Sequence, residues 1–291
     1  MGKVLFVPSG NSESFFNEGH SATLESPAWV KAKGLDLFEY SFGQGYRMSS
    51  DTAVKIGNEF KKEGIELSVH APYFINFANP DDEMFSKTIG YISTGIKFLK
   101  NLQAKRLIFH PASCGKQTRE DAVKLMMERF KEVMPSFEKE LDDDMFLCPE
   151  TMGKLMQIGT YKEVIDLCTI SSKLIPTFDF GHINSLEQGS LKAKDDFKRI
   201  LDYSIDKLGY DRTNNCHIHF SKIQYGPKGE IKHLNYDDVL YGPDFEPLAE
   251  VLIEYNLSPR VICESMNQMP HDALLMKKIY HKLLDKWVFM W

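Results

Sequence analysis

Short apolar runs alternate with longer amphipathic segments along this chain, and the alternation occurs eight times. The runs are rich in Val, Ile, Leu and Phe and are mostly continuous in hydrophobicity, which is typical of parallel strands buried on both faces. The predicted strands are Val4–Pro8, Leu35–Tyr40, Glu66–His70, Arg106–His110, Met145–Glu150, Leu174–Asp179, Cys216–Phe220 and Arg260–Glu264.

The segments between these runs have the period of an amphipathic helix. Apolar residues recur at spacings of three and four, as at Ile89, Ile92, Ile96 and Leu99. Thr118 is a typical N-cap before one of these segments. The predicted helices are Ser26–Lys33, Ser49–Lys62, Phe85–Leu102, Arg119–Lys139, Thr160–Thr169, Lys194–Lys207, Phe245–Tyr255 and Asp272–Lys286.

Eight consecutive strand-then-helix units predict an α/β fold, specifically one single-domain (β/α)8 TIM barrel spanning residues 1–291. A doubly wound open sheet is the alternative. Residues Gly226–Asp244 are predicted to form an extended loop after the seventh strand, and loops of that length are often functional. Trp287 and Trp291 are expected to pack the C-terminal tail against the barrel wall.

Composition narrows the class of protein. Of the 291 residues, 43% are hydrophobic and 26% are charged, which is ordinary for a globular chain. Five scattered cysteines indicate reduced thiols, and neither a signal peptide nor a membrane-spanning stretch is expected, so a cytoplasmic location is predicted. The net charge of −6 argues against a purely polyanionic partner unless bound cations offset it.

Six consecutive strands, the third to the eighth, carry a metal-ligand residue type at or near their C-terminal ends. These residues are His70, His110, Glu150, Asp179, His219 and Glu264, with His182 just beyond the sixth strand. In a β/α barrel such ends converge on one face, where active sites lie. Without cations the crowded carboxylates would repel one another, so we predict a shared metal site at this C-terminal face.

The ligand types restrict the choice of metal. Imidazole nitrogens mixed with carboxylate oxygens suit zinc, and also manganese or iron. Glu150 could bridge two ions, and paired ions are the usual arrangement for phosphoester hydrolysis. We therefore expect bound Zn²⁺, with Mn²⁺ or Fe²⁺ as alternatives.

Six motifs resemble those of the endonuclease IV family, whose members are AP endonucleases built on xylose-isomerase-like barrels. The motifs occur in the same order as in that family, between about Gly34 and about Lys286. They are HAPYFINFA (70–78), FHPAS (109–113), PETMG (149–153), FDFGHIN (178–184), HIHFSKIQYGPKGEIKHL (217–234) and ICESMN (262–267). A divergent prokaryotic branch of the family shares the FGQGYRM type of segment (42–48).

The resemblance implies a role for each ligand. His70, His110 and Glu150 match the first zinc site, and Glu150 also matches the catalytic carboxylate that bridges to a second zinc. That second site is completed by Asp179, His219 and Glu264. His182 matches a ligand of a third zinc, whose partners in the family form an Asp-x-His pair. This chain instead has Glu230 and His233, which are separated by three positions rather than two.

The resemblance also implies an activity. Family members cleave the phosphodiester 5′ to an abasic site during base excision repair, using water activated by two or three metal ions. The implied partner is double-stranded DNA with an abasic site, and no obligate protein partner is expected for a monomer. Tyr73 and Phe74 match side chains that insert into the base stack, although they could equally pack their loop onto the rim. Tyr46 and Arg47 are assigned a similar minor-groove role.

Two other functions are compatible with the same ligand types. The first is a divalent-metal sugar isomerase or epimerase of the same barrel superfamily, which would not need both His70 and His110. The second is an inactive barrel that binds a metal or a partner, against which the complete ligand set argues. The histidines, including His182 and His233, favour the nuclease.

Overall fold

The structure, a computed structural model, describes residues 3–288. In chain order its strands are β1 (Leu5–Pro8), β2 (Leu37–Ser41), β3 (Glu66–His70), β4 (Arg106–Phe109), β5 (Ala112–Ser113), β6 (Phe146–Pro149), β7 (Gln157–Ile158), β8 (Thr177–Asp179), β9 (His217–Phe220), β10 (Lys222–Gly226), β11 (Gly229–Leu234) and β12 (Arg260–Cys263).

The α-helices lie between these strands along the chain, and a 3₁₀ turn at Thr23–Glu25 follows the first helix. They are α1 (Glu13–Asn17), α2 (Ser26–Ala32), α3 (Ser50–Glu63), α4 (Asp82–Leu102), α5 (Arg119–Glu140), α6 (Tyr161–Cys168), α7 (Phe180–Leu186), α8 (Lys194–Leu208), α9 (Tyr210–Asn214), α10 (Phe245–Glu254) and α11 (Met269–Val288). None of the helices within residues 3–288 combines the length and apolar composition needed to cross a bilayer.

Eight parallel strands surround one axis. Two four-stranded sheets have the orders β1-β12-β9-β8 and β2-β3-β4-β6. Isolated parallel bridges join their edges, from Ser9 to Glu39 on one side and from Glu150 to Thr177 on the other. The eight barrel strands therefore follow one another around the ring in the order in which they occur along the chain. This confirms the predicted (β/α)8 barrel.

Strand register determines which side chains point into the barrel. Glu39 pairs with Ser68, and two residues later Ser41 pairs with His70. Because side chains alternate between the two faces of a strand, these residues share the inner face. Asp179 likewise pairs with His219. Strands and helices both contribute to the hydrophobic core, in which twelve of the largest side chains, all phenylalanines, are fully buried.

Most predicted boundaries agree with the structure to within two residues, and two of the three larger differences have local causes. The sixth predicted strand shrinks from Leu174–Asp179 to β8, because Pro176 has no N–H to donate to a ladder. Helix α4 begins three residues early, since the Asp81 carboxylate accepts from the N–H of Met84. The short helices α1, α7 and α9 were not predicted.

The prediction that residues 226–244 form an extended loop is wrong in its first part. Strands β10 and β11 pair as an antiparallel hairpin, with Gly226 opposite Gly229 across a two-residue turn. Residues 235–244 are irregular and contain the cis peptide Gly242–Pro243. At the C-terminus, Trp287 packs against the core as expected, and Trp291 lies outside the described residues.

Candidate metal centre

The first ligand cluster lies at the ends of β3, β4 and β6. His70 Nε2 is 2.9 Å from Glu150 Oε2, and His110 Nε2 is 3.3 Å from the same oxygen. Glu150 is almost completely buried, whereas both imidazoles are partly exposed to the barrel mouth. One ligand atom from each residue lies within 4.8 Å of the others, a separation that a single ion can span.

The second cluster shares Glu150 with the first. It contains Glu150, Asp179, His219 and Glu264, whose ligand atoms lie within 4.8 Å of one another. His219 Nδ1 is 3.1 Å from the Oε1 of Glu150, the oxygen not used by His70, and 3.4 Å from Glu264 Oε2. The two oxygens of Glu150 therefore face different clusters, as a bridging carboxylate requires.

Asp179 is positioned by the start of helix α7. Its side chain caps the helix, because Oδ1 accepts from the N–H of His182 at 2.7 Å. The other oxygen, Oδ2, is buried and has no hydrogen-bond partner in the described part of the chain. A buried carboxylate oxygen without a partner is costly, and a cation would satisfy it.

The third cluster unites His182 with the hairpin. Glu230 Oε2 lies 3.5 Å from His182 Nε2, and Glu230 Oε1 lies 3.9 Å from His233 Nε2. Residues three apart on a regular strand point to opposite faces. Here the register shifts, so that Tyr225 pairs with Glu230 and Gln224 pairs with Lys232, which leaves Ile231 unpaired. This β-bulge returns Glu230 and His233 to one face.

Two glycines allow the hairpin to approach the loop after β6. Gly229 has a φ of +93°, and a Cβ placed there would lie 2.0 Å from the carbonyl oxygen of Gly153. A Cβ on Gly153 would lie 2.9 Å from atoms of both His182 and Glu230. Side chains at either position would push the hairpin away, so the third cluster depends on both glycines.

Hydrogen bonds orient the imidazoles. His70 Nδ1 is 2.9 Å from the carbonyl oxygen of Ala71, and His182 Nδ1 is 2.9 Å from that of Thr151. A carbonyl only accepts, so in both rings Nδ1 donates and Nε2 is the nitrogen that faces the cluster. Metal-binding histidines commonly have this arrangement.

The electrostatics of the clusters favour added positive charge. Burial opposes ionisation of Glu150, but His219, His110 and His182 hold its pKa well below the usual range. Burial raises the pKa of Asp179 to about 6, although His182 acts in the opposite direction. Burial likewise opposes protonation of His182, yet Asp179 and Glu150 raise its pKa to about 10. Divalent cations would replace the protons that these carboxylates draw onto the imidazoles.

The predicted DNA-contacting residues separate into two groups. Tyr73 and Phe74 are exposed at the rim, with ring centroids 4.6 Å apart, and Arg47 is exposed in the loop after β2. Tyr46, in contrast, stacks on Phe98, and its hydroxyl is buried. Tyr46 therefore packs that loop against α4 and is left out of the DNA-contacting set.

Glu39 was not predicted as a site residue, and the barrel places it beside the second cluster. Glu39 is fully buried, and its carboxylate lies within 4.8 Å of ring nitrogens of His217 and His219. The available sequence signal was an acidic residue between Phe38 and Tyr40 in a predicted strand. Ser9 was also missed, and its hydroxyl lies 3.3 Å from Glu264 Oε1.

The bulge makes a prediction about the third cluster. Deleting Ile231 leaves Glu230 and His233 separated by two positions, which a regular strand also places on one face. We expect the deletion variant to bind as many metal ions per chain as the parent, as measured by elemental mass spectrometry. His233→Ala, which removes one member of this cluster, is the control and should lose one ion. Loss of an ion by the deletion variant would contradict the assigned bulge.

These observations define a class of protein: a β/α barrel whose C-terminal face carries linked sets of side chains of metal-ligand types. A model of the xylose isomerase-like TIM barrel family matches residues 27–279. The chain belongs to this family.

Relatives are consistent with the motifs. An uncharacterised protein of Methanocaldococcus jannaschii is 31% identical over 254 residues, covering 87% of this chain and 90% of its own. A probable endonuclease 4 of Staphylococcus carnosus is 28% identical over 205 residues, covering 66% and 67%. The resemblance to endonuclease IV is thereby confirmed at the level of sequence similarity.

Solved structures share the fold at low identity. Endonuclease IV from Thermus thermophilus matches with a TM-score of 0.65 at 14% identity, covering 92% of this chain and 96% of its own. D-Psicose 3-epimerase from Clostridium cellulolyticum matches with a TM-score of 0.62, also at 14% identity, covering 93% and 94%. The fold alone therefore does not separate a nuclease from an epimerase.

Proposed function

We propose that this protein is a metal-dependent phosphodiesterase that cleaves DNA 5′ to abasic sites, as the endonuclease IV family does. The observation that carries the proposal is the linkage of three ligand clusters through one cavity. Glu150 joins two of them, and His182 extends the set toward Glu230 and His233. The donor set of imidazoles and carboxylates fits two to three zinc ions, with manganese or iron as alternatives.

The residues suit chemistry at a phosphate. Bound divalent ions supply Lewis acidity, a lower pKa for water and stabilisation of the leaving oxygen. Glu150, which accepts contacts from four imidazoles, holds the two deepest clusters in a fixed relation and is the proposed catalytic carboxylate. Lys154 lines the same cavity beside Glu230, where it can pair with a phosphate oxygen.

Recognition of DNA is proposed to rely on exposed aromatic side chains more than on overall charge. The net charge is −6, so attraction to phosphates must be local. Tyr73 also lines the metal cavity, and Phe74 extends its aromatic surface toward Tyr91. Arg47 lines a neighbouring cavity that shares Ser41 and Gly43 with the first. Deforming a duplex around such a surface requires the least free energy where one base is missing.

The proposal is tested with a duplex that contains one synthetic abasic site. Purified protein loaded with zinc should incise the strand on the 5′ side of the site, and a chelator should abolish the cut. The matched undamaged duplex and the metal content of the same sample are the controls. A protein that holds its metal ions and leaves the abasic strand intact would refute the proposed activity.

A sugar isomerase or epimerase is the second candidate, because D-psicose 3-epimerase has the same fold. Such a reaction at a single centre would leave the third cluster of His182, Glu230 and His233 without a role. Incubating the same sample with a panel of ketohexoses separates the two functions. Interconversion of sugars without incision would establish the second candidate.

Tyr73→Ala should weaken the preference for abasic over intact DNA by about tenfold, since stacking on a base contributes about 1–3 kcal/mol. The metal content should not change, because Tyr73 contributes no ligand to the three clusters. Competition binding with the two duplexes measures the preference. Tyr91→Ala is the control for disturbed packing, and an unchanged preference in Tyr73→Ala would exclude Tyr73 as an inserting residue.

A further inference from the structure

A buried carboxylate lies beside the second cluster on the side away from the other acidic ligands. Glu39 is on β2, two residues before the end of the strand, and is fully buried. It pairs in register with Ser68 and points into the barrel. An ionised carboxylate in such a place requires compensation from its neighbours.

One oxygen of Glu39 is fully engaged. Oε2 accepts from the Ser68 hydroxyl at 2.8 Å and lies 2.9 Å from Nε2 of His217. The other ring nitrogen of His217, Nδ1, is buried without a hydrogen-bond partner in the described residues. A doubly protonated ring would leave an N–H unsatisfied there, so His217 is neutral and donates to Glu39 through Nε2. The negative charge of Glu39 is therefore not cancelled by His217.

The other oxygen of Glu39 faces a predicted metal ligand. Oε1 lies 3.0 Å from Nε2 of His219. The two atoms are not aligned as a hydrogen bond. Neither of them has a hydrogen-bond partner elsewhere within residues 3–288. Since both atoms are buried and 3.0 Å apart, each is the available hydrogen-bond partner of the other.

The opposite edge of the His219 ring faces the cluster. Its Nδ1 is 3.1 Å from Glu150 and 3.4 Å from Glu264. A neutral imidazole carries one proton, so a proton held on Nε2 leaves the Nδ1 lone pair free for a cation. We propose that Glu39 is a positioning residue that keeps the proton of His219 on Nε2 and thereby directs Nδ1 at the cation shared by Glu150, Asp179 and Glu264.

The charges of the region agree with this role. Four carboxylates surround His219, namely Glu39, Glu150, Asp179 and Glu264. Two divalent ions would carry a positive charge equal to the negative charge of these four groups. The inference rests on the cation binding within the proposed function and not on the identity of the substrate. It therefore applies equally if the chain acts on a sugar.

The test measures metal affinity instead of activity. Zinc binding to Glu39→Gln, followed by competition with a chromophoric chelator, should be weaker than in the parent by about 10- to 100-fold for one ion. Ser68→Ala is the matched control, because it removes a bond to Oε2 and leaves the contact between Oε1 and His219. Affinity in Glu39→Gln equal to that of the parent would overturn the proposal.

A second measurement needs no substitution of Glu39 and so does not depend on the folding of that variant. In parent protein with ¹⁵N-labelled histidine and bound zinc, NMR should show His219 with its proton on Nε2 and zinc on Nδ1. A His219→Asn sample assigns the resonance. The reverse tautomer would overturn the proposal, and so would a parent protein that binds no zinc. Zinc binding without incision would count against the proposed nuclease alone.

Discussion

Glu150→Gln should lose two metal ions per chain and should reduce incision of abasic DNA by about 10³-fold or more. The substitution keeps the volume of a side chain that is 1% exposed, so little repacking is needed. It removes the charge that both the His70–His110 cluster and the Asp179–Glu264 cluster share. Elemental mass spectrometry and the single-site incision assay measure the two effects.

Glu264→Gln is the matched comparison for this prediction. The chemical change is the same, but Glu264 belongs to only one of the clusters and is more exposed. This variant should lose at most one ion. If the Glu150 and Glu264 variants lost the same number of ions, Glu150 would not be a bridging ligand. Metal-dependent stabilisation against heat should follow the same order, since ions that bind the folded state raise its stability.

His182→Asn should lose one ion and should lower the rate of incision by roughly 10²-fold, on the scale of a single lost electrostatic contact. The Asn amide can still donate to the Thr151 carbonyl, as His182 Nδ1 does. The substitution removes the His182 Nε2 atom, which lies 3.5 Å from Glu230 Oε2. The other two ions should remain, because Glu150, His70 and His219 are unchanged.

Two further variants locate this effect. His233→Asn alters the same cluster from the hairpin side and should produce the same loss of one ion. His271→Asn changes an exposed imidazole outside all three clusters and should change neither metal content nor incision. A His182 variant with the full number of ions would remove the third cluster from the mechanism.

The six strand-end ligands could be recognised in the sequence because each lies at the C-terminal end of a short apolar run. A parallel barrel brings such ends to one face whatever the details of packing. His70, His110, Glu150, Asp179, His219 and Glu264 are accordingly all found in the first two clusters. Their types also limited the chemistry to mixed nitrogen and oxygen ligation.

Two site features could not be predicted from local patterns. Spacing alone placed Glu230 and His233 on opposite faces of a strand, and only the bulge at Ile231 reverses this. Tyr46 lies in an exposed-looking Gly-rich segment, yet its ring stacks on Phe98 of a distant helix. Both depend on partners that the neighbouring sequence does not specify.

Local patterns along the chain are enough to predict the barrel, the face that carries the candidate site and six of its proposed ligands, because backbone periodicity is recorded within a few neighbouring residues. How those residues divide into clusters, and which side chains orient them, depends on the three-dimensional fold. Glu39 and His217 are 178 positions apart and meet only through the register of the closed barrel. Such contacts depend on strand pairing around the whole ring, so the order of residues along one strand cannot predict them.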